Sequence, residues 1–199
     1  MTKPRVFIYP GDSNHDAIEM FERRGFEVVK DFEQVDLVCF LGGTDVDPRV
    51  YGEEPGPYTQ SPDKMRDSIE VTDFGLWKSR GVPQVGICRG GQLLNVLNGG
   101  KMIQHLGYTV SGDVKMFREN HDHSDVITVR VDHHQGMVVR EDISYIAFNP
   151  SIKGYPDYVI YYEDTKSLCV QFHPEWGHKG TEDYFFELIK AKIGLEGKV

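Results

Sequence analysis

The feature that most limits the fold of this chain is the alternation of strand-like and helix-like segments in its first half. Short apolar runs predict strands at residues 5–9, 26–29, 35–41 and 84–87. Helical patterns separate these strands: one is capped by Asp12 or Ser13, and another follows residue 87 directly. An order of strand, helix, strand and helix predicts a parallel sheet with helices on both faces.

The second half of the chain is richer in strands. Apolar runs predict strands at residues 126–131, 144–148, 158–162 and 168–172, and a final helix is predicted over residues 181–192. We find no internal repeat and no linker, and 199 residues suit one compact domain, so residues 1–199 are predicted to form a single domain. The predicted fold class is α/β, with a mostly parallel central sheet flanked by helices and an added strand-rich second half.

A loop rich in glycine, proline and aspartate occupies residues 44–60. Loops of this length in compact domains are usually either flexible excursions or walls of a functional site, and both readings stay open here. The helix that follows is predicted to begin with Ser61 as its cap and Pro62 at its first helical position, and to end near Arg80.

Composition excludes several classes of function. The net charge of −9 argues against binding to nucleic acid or to an anionic membrane, both of which need basic surface. No apolar run approaches the roughly 20 residues that span a bilayer, and the first residues lack a signal peptide's apolar region. Three scattered cysteines form neither a disulfide framework nor a zinc pair, which favours a reducing, cytoplasmic location. Two of them, Cys39 and Cys169, lie inside apolar strands and are expected in the core.

The third cysteine, Cys88, lies in the run Gly-Ile-Cys-Arg-Gly-Gly at residues 86–91. A nucleophile between the end of a strand and the start of a helix, with small neighbours, is typical of a nucleophile elbow. The N-terminus of the helix would favour the thiolate, and the backbone N–H of Arg89 would point toward a carbonyl oxygen under attack. A buried core cysteine beside a glycine-rich turn is the alternative interpretation.

Two further clusters carry groups that a cysteine nucleophile needs. His173 and Glu175, two residues apart in an extended segment, would face the same way, so that the carboxylate holds the imidazole and the imidazole acts as base and acid. A strand ends at Gly42 and Gly43, where the backbone can approach a ligand, and the N–H of Gly43 would be a second oxyanion donor. Taken alone, the first cluster could be a surface pair and the second an ordinary turn.

Together these motifs resemble the class I glutamine amidotransferase superfamily, whose fold is a flavodoxin-like sandwich. Within it the chain is most similar to the γ-glutamyl hydrolase (peptidase C26) branch, which includes the hydrolase of γ-glutamyl-γ-aminobutyrate. The resemblance covers roughly residues 38–178. It rests on residues 42–48, 51–53, 86–90, 95–106, 133–135 and 170–176.

The resemblance implies a role for individual residues and an overall reaction. Cys88, His173 and Glu175 would form a catalytic triad, and the N–H groups of Gly43 and Arg89 would form the oxyanion hole. Three further residues would contact the γ-glutamyl substrate: Gln92, His134 and Gln135. The reaction would be acyl transfer to the cysteine, release of an amine or ammonia, and hydrolysis of the thioester, with no cofactor and no metal.

One departure and one alternative site remain. The family usually has Asn-Ser shortly before its His-x-Gln, and this chain has Arg130-Val131 there, which leaves substrate choice open. Four histidines lie close enough in sequence to suggest a metal site, but no cysteine or patterned carboxylate completes a ligand set; they are His121, His123, His133 and His134. Residues 120–124 fit better as a polar loop at the rim of the pocket.

Three functions therefore compete. The first is a hydrolase of a small γ-glutamyl amide that acts alone, as a monomer or a homodimer. The second is a glutaminase subunit that delivers ammonia to a synthase, which would have to be a partner protein because no synthetase sequence follows residue 199. The third, a non-catalytic binding module on the same fold, is disfavoured by the intact set of catalytic residue types.

Overall fold

The computed structural model of the protein describes residues 2–118, 126–143, 145–148 and 157–197. In these residues, eleven strands form one sheet and four α-helices pack on it. The strands are β1 Arg5–Tyr9, β2 Glu27–Val29, β3 Leu37–Phe40, β4 Gln84–Ile87, β5 Lys101–Ile103, β6 Val110–Arg118, β7 Val126–His133, β8 Gly136–Val138, β9 Tyr145–Phe148, β10 Asp157–Tyr162 and β11 Ser167–Val170. The helices are α1 Asn14–Arg23, α2 Lys64–Arg80, α3 Arg89–Leu97 and α4 Lys179–Leu188, the last continued by a π-helical turn, Ile189–Ile193.

Two kinds of strand pairing divide the sheet. The order β2-β1-β3-β4-β11 is parallel throughout. From β11 outward the order continues β10-β9-β6-β7 with antiparallel pairs. Off this path, β8 pairs antiparallel with β10, and β5 pairs antiparallel with β8. The predicted α/β class, with a mostly parallel centre and a strand-rich second half, is confirmed.

Helices cover both faces of the parallel block. On one face α1 and α4 contribute Met20, Phe21 and Phe185 to a core that includes Ile87 of β4. On the other face α2 and α3 contribute a second core that includes Trp77. Strands buried on both faces explain why their sequences are continuous apolar runs rather than alternating patterns. None of the helices in the described part of the chain combines the length and apolar character needed to cross a lipid bilayer.

Three strands were absent from the sequence prediction: β5, β6 and β8. β5 and β8 have only three residues each, and they pair with one another. β6 is long but polar, and eight of its positions pair with β7. Such strands are specified by their partners more than by their own residues, so that local pattern gives little signal.

Two predicted helix caps need correction. The side chain of Asp63, rather than Ser61, accepts hydrogen bonds from the backbone at the start of α2, and Pro62 precedes the helix instead of opening it. Ser13 does occupy the cap position of α1, but its hydroxyl makes no cap and accepts a hydrogen bond from Trp176 instead, at 2.7 Å. The backbone of Ser13 is left-handed, with φ 57°, whereas a residue whose side chain caps a helix is typically extended.

The carboxyl ends of the parallel strands meet at one edge of the sheet, which is where α/β proteins bind their ligands. β1 leads to Asp12, β3 to Gly42 and Gly43, β4 to Cys88, and β11 to His173. All five residues therefore lie at the same edge, although they come from four separate parts of the chain.

Candidate active site

Cys88 lies in a strained turn between β4 and α3. Its backbone has φ 51° and ψ −111°, a conformation that residues other than glycine rarely adopt. The Cys88 N–H donates to the carbonyl of Val170 at 2.8 Å, and its carbonyl accepts from the N–H of Gln92 at 3.0 Å. These bonds hold the strained residue in place, with its side chain at the wall of a cavity.

The glycines around Cys88 are required by close backbone packing. A Cβ at Gly90 would overlap the carbonyl oxygen of Phe40 in β3, and a Cβ at Gly86 would overlap the carbonyl of Gly90. A Cβ at Gly91 would lie 2.6 Å from the carbonyl oxygen of Val170. The start of α3 thus contacts the sheet backbone to backbone, without intervening side chains. The small residues make room for the sharp turn that the sequence predicted.

Gly90→Ala is expected to destabilise the protein by about 3 kcal/mol or more, because the new methyl group meets backbone that cannot rotate away. For a chain of this size that corresponds to a fall in Tm of about 6–12 °C, measurable by thermal denaturation. Gly75→Ala is a matched control, since Gly75 lies within α2 and a Cβ there would meet nothing within 4 Å. The control should leave stability equal or slightly higher, and a Gly90 variant as stable as the control would contradict the packing argument.

His173 and Glu175 follow β11 and contact each other directly. Nδ1 of His173 lies 2.7 Å from Oε1 of Glu175, and both side chains are buried. The expected extended segment is in fact a short 3₁₀ turn, Pro174–Trp176, so Glu175 reaches the ring through the turn rather than along a strand face. The indole of Trp176 stacks on the imidazole with ring centroids 3.7 Å apart. Carboxylate and indole together fix the orientation of the ring.

The backbone and the electrostatics of His173 suit a proton carrier. Its N–H donates to the carbonyl of Arg130 at 2.8 Å. With Nδ1 bonded to Glu175, Nε2 is the ring nitrogen left for the cavity, which His173 and Cys88 both line. Burial lowers the pKa of His173, but the charged Cys88 sulfur and the Glu175 carboxylate outweigh burial and raise the pKa to about 10. The imidazolium is therefore favoured at neutral pH when the sulfur is ionised.

Gln171 was not singled out from the sequence, but it contacts the nucleophile. Its side-chain amide donates to the Cys88 sulfur at 3.6 Å, and its amide oxygen accepts from Gln92 at 3.2 Å. Gln92, the predicted substrate residue, also lines the cavity. The sequence signal that could have found Gln171 is an amide within the apolar run at residues 168–172. The structure shows that it is fully buried, and a buried amide must be hydrogen-bonded.

The two predicted oxyanion residues both lie near the cysteine: Gly43 lines the same cavity, and Arg89 follows Cys88 directly in the chain. Gly43 lines the cavity and has φ 153°, which favours glycine. Arg89 is the first residue of α3, where backbone N–H groups have no partner within the helix. The side chain of Arg89 is buried and forms ion pairs with Asp67 and Glu70.

His134 and Gln135 line the same cavity, and each is held by a neighbour. Nε2 of His134 lies 3.1 Å from Oδ1 of Asp45, and its Nδ1 lies 3.1 Å from Nδ1 of His105. Gln135 donates to the carbonyl of Gln104 at 3.3 Å. Neither Asp45 nor His105 was a predicted site residue, because nothing local in their segments indicates that they meet His134.

His133 differs from its neighbour in environment. Burial lowers its pKa to about 4, so the ring is neutral at physiological pH. Its two nitrogens pair with the carbonyl of Gln135 and the hydroxyl of Tyr158, at 2.7 and 2.8 Å. Of the four histidines considered for a metal, His121 and His123 lie outside the described residues, as does the predicted rim loop at residues 120–124. In the part that is described, no group of three or more suitable side chains is arranged to hold a metal ion.

Residues 44–60 form part of the wall of the cavity, which settles the alternative that the sequence left open. Thr44, Asp45 and Gln60 line the cavity. Gln104 fixes the loop by accepting from the N–H of Gly56 at 2.9 Å and donating to Glu53 at 2.7 Å. The side chain of Arg130, by contrast, pairs with Asp113 and is not part of the lining.

The cavity has a volume of about 210 Å³ and an acidic lining. Three acidic residues occur among the described lining residues, Asp12, Asp45 and Asp132, and no lysine or arginine does. Burial raises the pKa of Asp45. The walls can supply a nucleophile, a proton carrier and backbone donors.

The Peptidase C26 family profile matches residues 23–151, more than half of the sequence. This chain belongs to the Peptidase C26 family. The match includes Gly43 and Cys88 but ends before His173 and Glu175, which are therefore placed by the structure.

Two proteins similar in sequence to this chain are named as a glutamine amidotransferase or as similar to one. A protein of Mycobacterium tuberculosis, provisionally named glutamine amidotransferase Rv2859c, is 34% identical over 185 residues, covering 83% of this chain and 58% of that protein. The glutamine amidotransferase-like protein YvdE of Lactococcus lactis, also provisionally named, is 42% identical over 77 residues, covering 39% of this chain and 33% of that protein. The chain thus spans less than two thirds of the length of both relatives.

Solved structures share the fold. A glutamine amidotransferase from Thermotoga maritima superposes with a TM-score of 0.66 at 17% identity, covering 98% of this C26 chain and 85% of the other. A protein from Thermoplasma acidophilum, provisionally described as one subunit of GMP synthase, gives 0.72 at 16% identity, covering 98% and 96%. PurLQS from Thermotoga maritima gives 0.69 at 19% identity, covering 92% and 97%. At these identities the likeness shows the fold alone.

Proposed function

We propose that this chain hydrolyses a γ-glutamyl amide bond through a thioester on Cys88. The observation that carries the proposal is that Cys88, in its strained turn, lines one cavity together with His173, whose ring is held from behind by Glu175. A nucleophile, a base and a group that orients the base are the minimum set for acyl transfer by a cysteine. Membership of the C26 family agrees with this chemistry.

The first step forms the thioester. The Cys88 thiolate attacks the γ-carbonyl carbon, and the negative charge that develops on the carbonyl oxygen is stabilised by the N–H groups of Gly43 and Arg89. The C–N bond then breaks as the His173 imidazolium gives its proton to the departing nitrogen. Glu175 keeps the ring in the tautomer and orientation that this transfer needs.

The second step releases glutamate. His173, now neutral, takes a proton from water, which attacks the thioester carbon, and the sulfur leaves as thiolate, ready for another cycle. Gln92, His134 and Gln135 hold the glutamyl part in this proposal. Their side chains line the cavity, and bonds to Gln171, Asp45 and Gln104 fix their positions.

The acidic residues of the lining affect which charge the leaving amine can carry. In this proposal a leaving amine with its own carboxylate would enter a cavity whose lining also includes Asp12 and Asp132, with no lysine or arginine among the described lining residues to balance it. A neutral or cationic amine, or ammonia from glutamine, would not be repelled.

A second candidate function is that of a glutaminase subunit delivering ammonia to a synthase. Two structural neighbours are described as PurLQS and as one subunit of GMP synthase, and both cover more than nine tenths of this chain. In this case glutamine alone would be the substrate, and turnover by the isolated chain would be slow until the partner was added.

Feeding the isolated chain a panel of amides tests the proposal. The panel contains L-glutamine, γ-glutamylethylamine, γ-glutamylputrescine and γ-glutamyl-γ-aminobutyrate, with an α-glutamyl amide as a negative control. We expect the γ-glutamyl amides to be hydrolysed and the α-glutamyl amide not to be. We also expect kcat/KM to be at least about tenfold higher for substrates that release a neutral or cationic amine than for the substrate that releases a carboxylated amine, a difference of about 1.4 kcal/mol.

The outcomes separate the alternatives. Asp12→Asn should narrow the difference in kcat/KM between the cationic and carboxylated substrates, because it removes one acidic group from the lining of the cavity. Slow hydrolysis of glutamine alone, accelerated by a synthase, would favour the second candidate. Absence of turnover on every γ-glutamyl amide, with and without a synthase, would refute a hydrolytic function.

A further inference from the structure

Arg66 of α2 contacts the segment that carries the proposed oxyanion donor. Its Nη1 donates to the carbonyl of Gly42 at 2.9 Å, its Nη2 donates to the carbonyl of Leu41 at 2.8 Å, and its Nε donates to Glu70 at 2.8 Å. The side chain is 16% exposed, so these bonds are largely shielded from water. A planar guanidinium with three aligned contacts fixes both carbonyls in one orientation.

This orientation determines where the N–H of Gly43 points. The carbonyl of Gly42 and the N–H of Gly43 belong to one peptide group, and the described chain has no cis peptide bond, so the two point in opposite directions. The carbonyl is held on the side of Arg66 and also accepts from the N–H of Asp12 at 3.2 Å. The N–H of Gly43 is thereby directed away from Arg66, on a residue that lines the cavity beside Cys88.

The peptide between two glycines needs such a restraint. Neither Gly42 nor Gly43 has a side chain to oppose rotation, and Gly43 is at φ 153°. A Cβ at Gly43 would overlap Nη1 of Arg66, so the guanidinium fills the space next to this residue. There is also little room for a side chain at Gly42, because a Cβ there would lie 3.0 Å from Cε1 of His173.

The same network reaches the second proposed donor. Glu70 bonds both Arg66 and Arg89, and Arg89 also bonds Asp67. Asp67, Glu70 and Arg89 are buried, with at most 3% of their surface exposed, and the two cations balance the two anions. Side chains of α2 therefore contact both the Gly42–Gly43 segment and Arg89.

We propose that Arg66 is a positioning residue that keeps the Gly43 N–H aimed at the oxyanion. This inference rests on the proposed function, since it concerns the transition state of acyl transfer. Without Arg66 the peptide can rotate and a donor is lost, which in other enzymes costs about 10²–10³ in kcat. The donor acts on charge that develops only in the transition state, so KM should change little.

The test compares a reaction that develops an oxyanion with one that does not. The first is hydrolysis of γ-glutamyl-p-nitroanilide, and the second is alkylation of Cys88 by iodoacetamide, a displacement at saturated carbon. For Arg66→Met we expect kcat to fall about 100-fold, with KM and the alkylation rate within about threefold of the wild type. In Arg66→Ala, added guanidinium ion should restore part of kcat.

Two milder variants and a control keep the test informative if those variants fold poorly. Arg66→Lys retains the charge but cannot hold both carbonyls, and Glu70→Gln weakens the link to both arginines, so each should lower kcat about tenfold. Arg80→Met is the matched control, because Arg80 also lies on α2 and donates to a loop carbonyl, that of Phe32, at 3.1 Å. It should leave kcat unchanged.

The results distinguish the two proposals. If the wild type does not hydrolyse any γ-glutamyl compound, the proposed function fails. If the wild type does so and folded Arg66→Lys and Glu70→Gln keep full kcat, the positioning role alone is overturned. A parallel fall in hydrolysis and alkylation would also overturn it, since that result indicates general disturbance around Cys88.

Discussion

Cys88→Ala is expected to abolish hydrolysis of γ-glutamyl amides, with a fall in kcat of about 10⁴-fold or more, because no thioester can form. The other two cysteines cannot replace it: Cys39 and Cys169 are fully buried in β3 and β11, as the sequence predicted. Burial raises the pKa of both their thiols well above the ordinary range, which makes them poor nucleophiles. Release of the amine under saturating substrate measures the effect.

Covalent labelling of Cys88 is the control for the loss of hydrolysis in Cys88→Ala. The glutamine-like diazoketone 6-diazo-5-oxo-L-norleucine should add one glutamyl-sized group to the wild type and to Cys169→Ala, detected by mass spectrometry of the intact protein. It should add none to Cys88→Ala. Retention of more than about 1% of wild-type kcat in a folded Cys88→Ala protein would show that the nucleophile lies elsewhere.

Glu175→Gln is expected to lower kcat about 10³-fold and to move the alkaline limb of the pH–rate profile toward lower pH. The departing amine needs a proton from the His173 imidazolium, so activity falls as pH rises through the pKa of that ring. That pKa is raised to about 10, with Glu175 one of the causes, so removing the carboxylate's charge lowers it. The profile of kcat/KM between about pH 6 and 11 measures the shift.

NMR titration of the His173 ring checks the cause independently of turnover. The resonance should titrate at high pH in the wild type and at clearly lower pH in Glu175→Gln and in Cys88→Ser, since each variant removes a negative neighbour. Glu19→Gln is the control, because Glu19 is exposed on α1 and pairs with His15. An alkaline limb that stayed in place in Glu175→Gln would mean that His173 is not the group that titrates there.

The strands whose bounds the sequence predicted best belong to the parallel block, which is buried on both faces. β1 and β4 have the predicted bounds, because a strand covered on both faces must be apolar along its whole length. The polar strand β6 and the short strands β5 and β8 left no such pattern. Their conformation depends on neighbours that are distant in the chain.

The residues of the candidate site also fall into two groups: those that the sequence indicates and those that only the structure shows. The small residues around Cys88 and the spacing of His173 and Glu175 were visible in sequence, because a tight turn and a short-range pair impose local requirements. Gln171, His105 and Arg66 were not visible as site residues. Each acts through a partner far away in sequence: Gln171 through Cys88, His105 through His134, and Arg66 through Gly42.

The sequence by itself determined the α/β class, the turn that carries Cys88 and the residue types that the proposed cysteine chemistry needs, because apolar periodicity and glycine-rich turns are local properties. Only the tertiary structure decided how these parts meet. It brought the ends of four parallel strands to one edge, made residues 44–60 a wall of the cavity, and set Arg66 behind the Gly42–Gly43 peptide. Contacts of this kind follow from chain topology and side-chain packing, which no local pattern specifies.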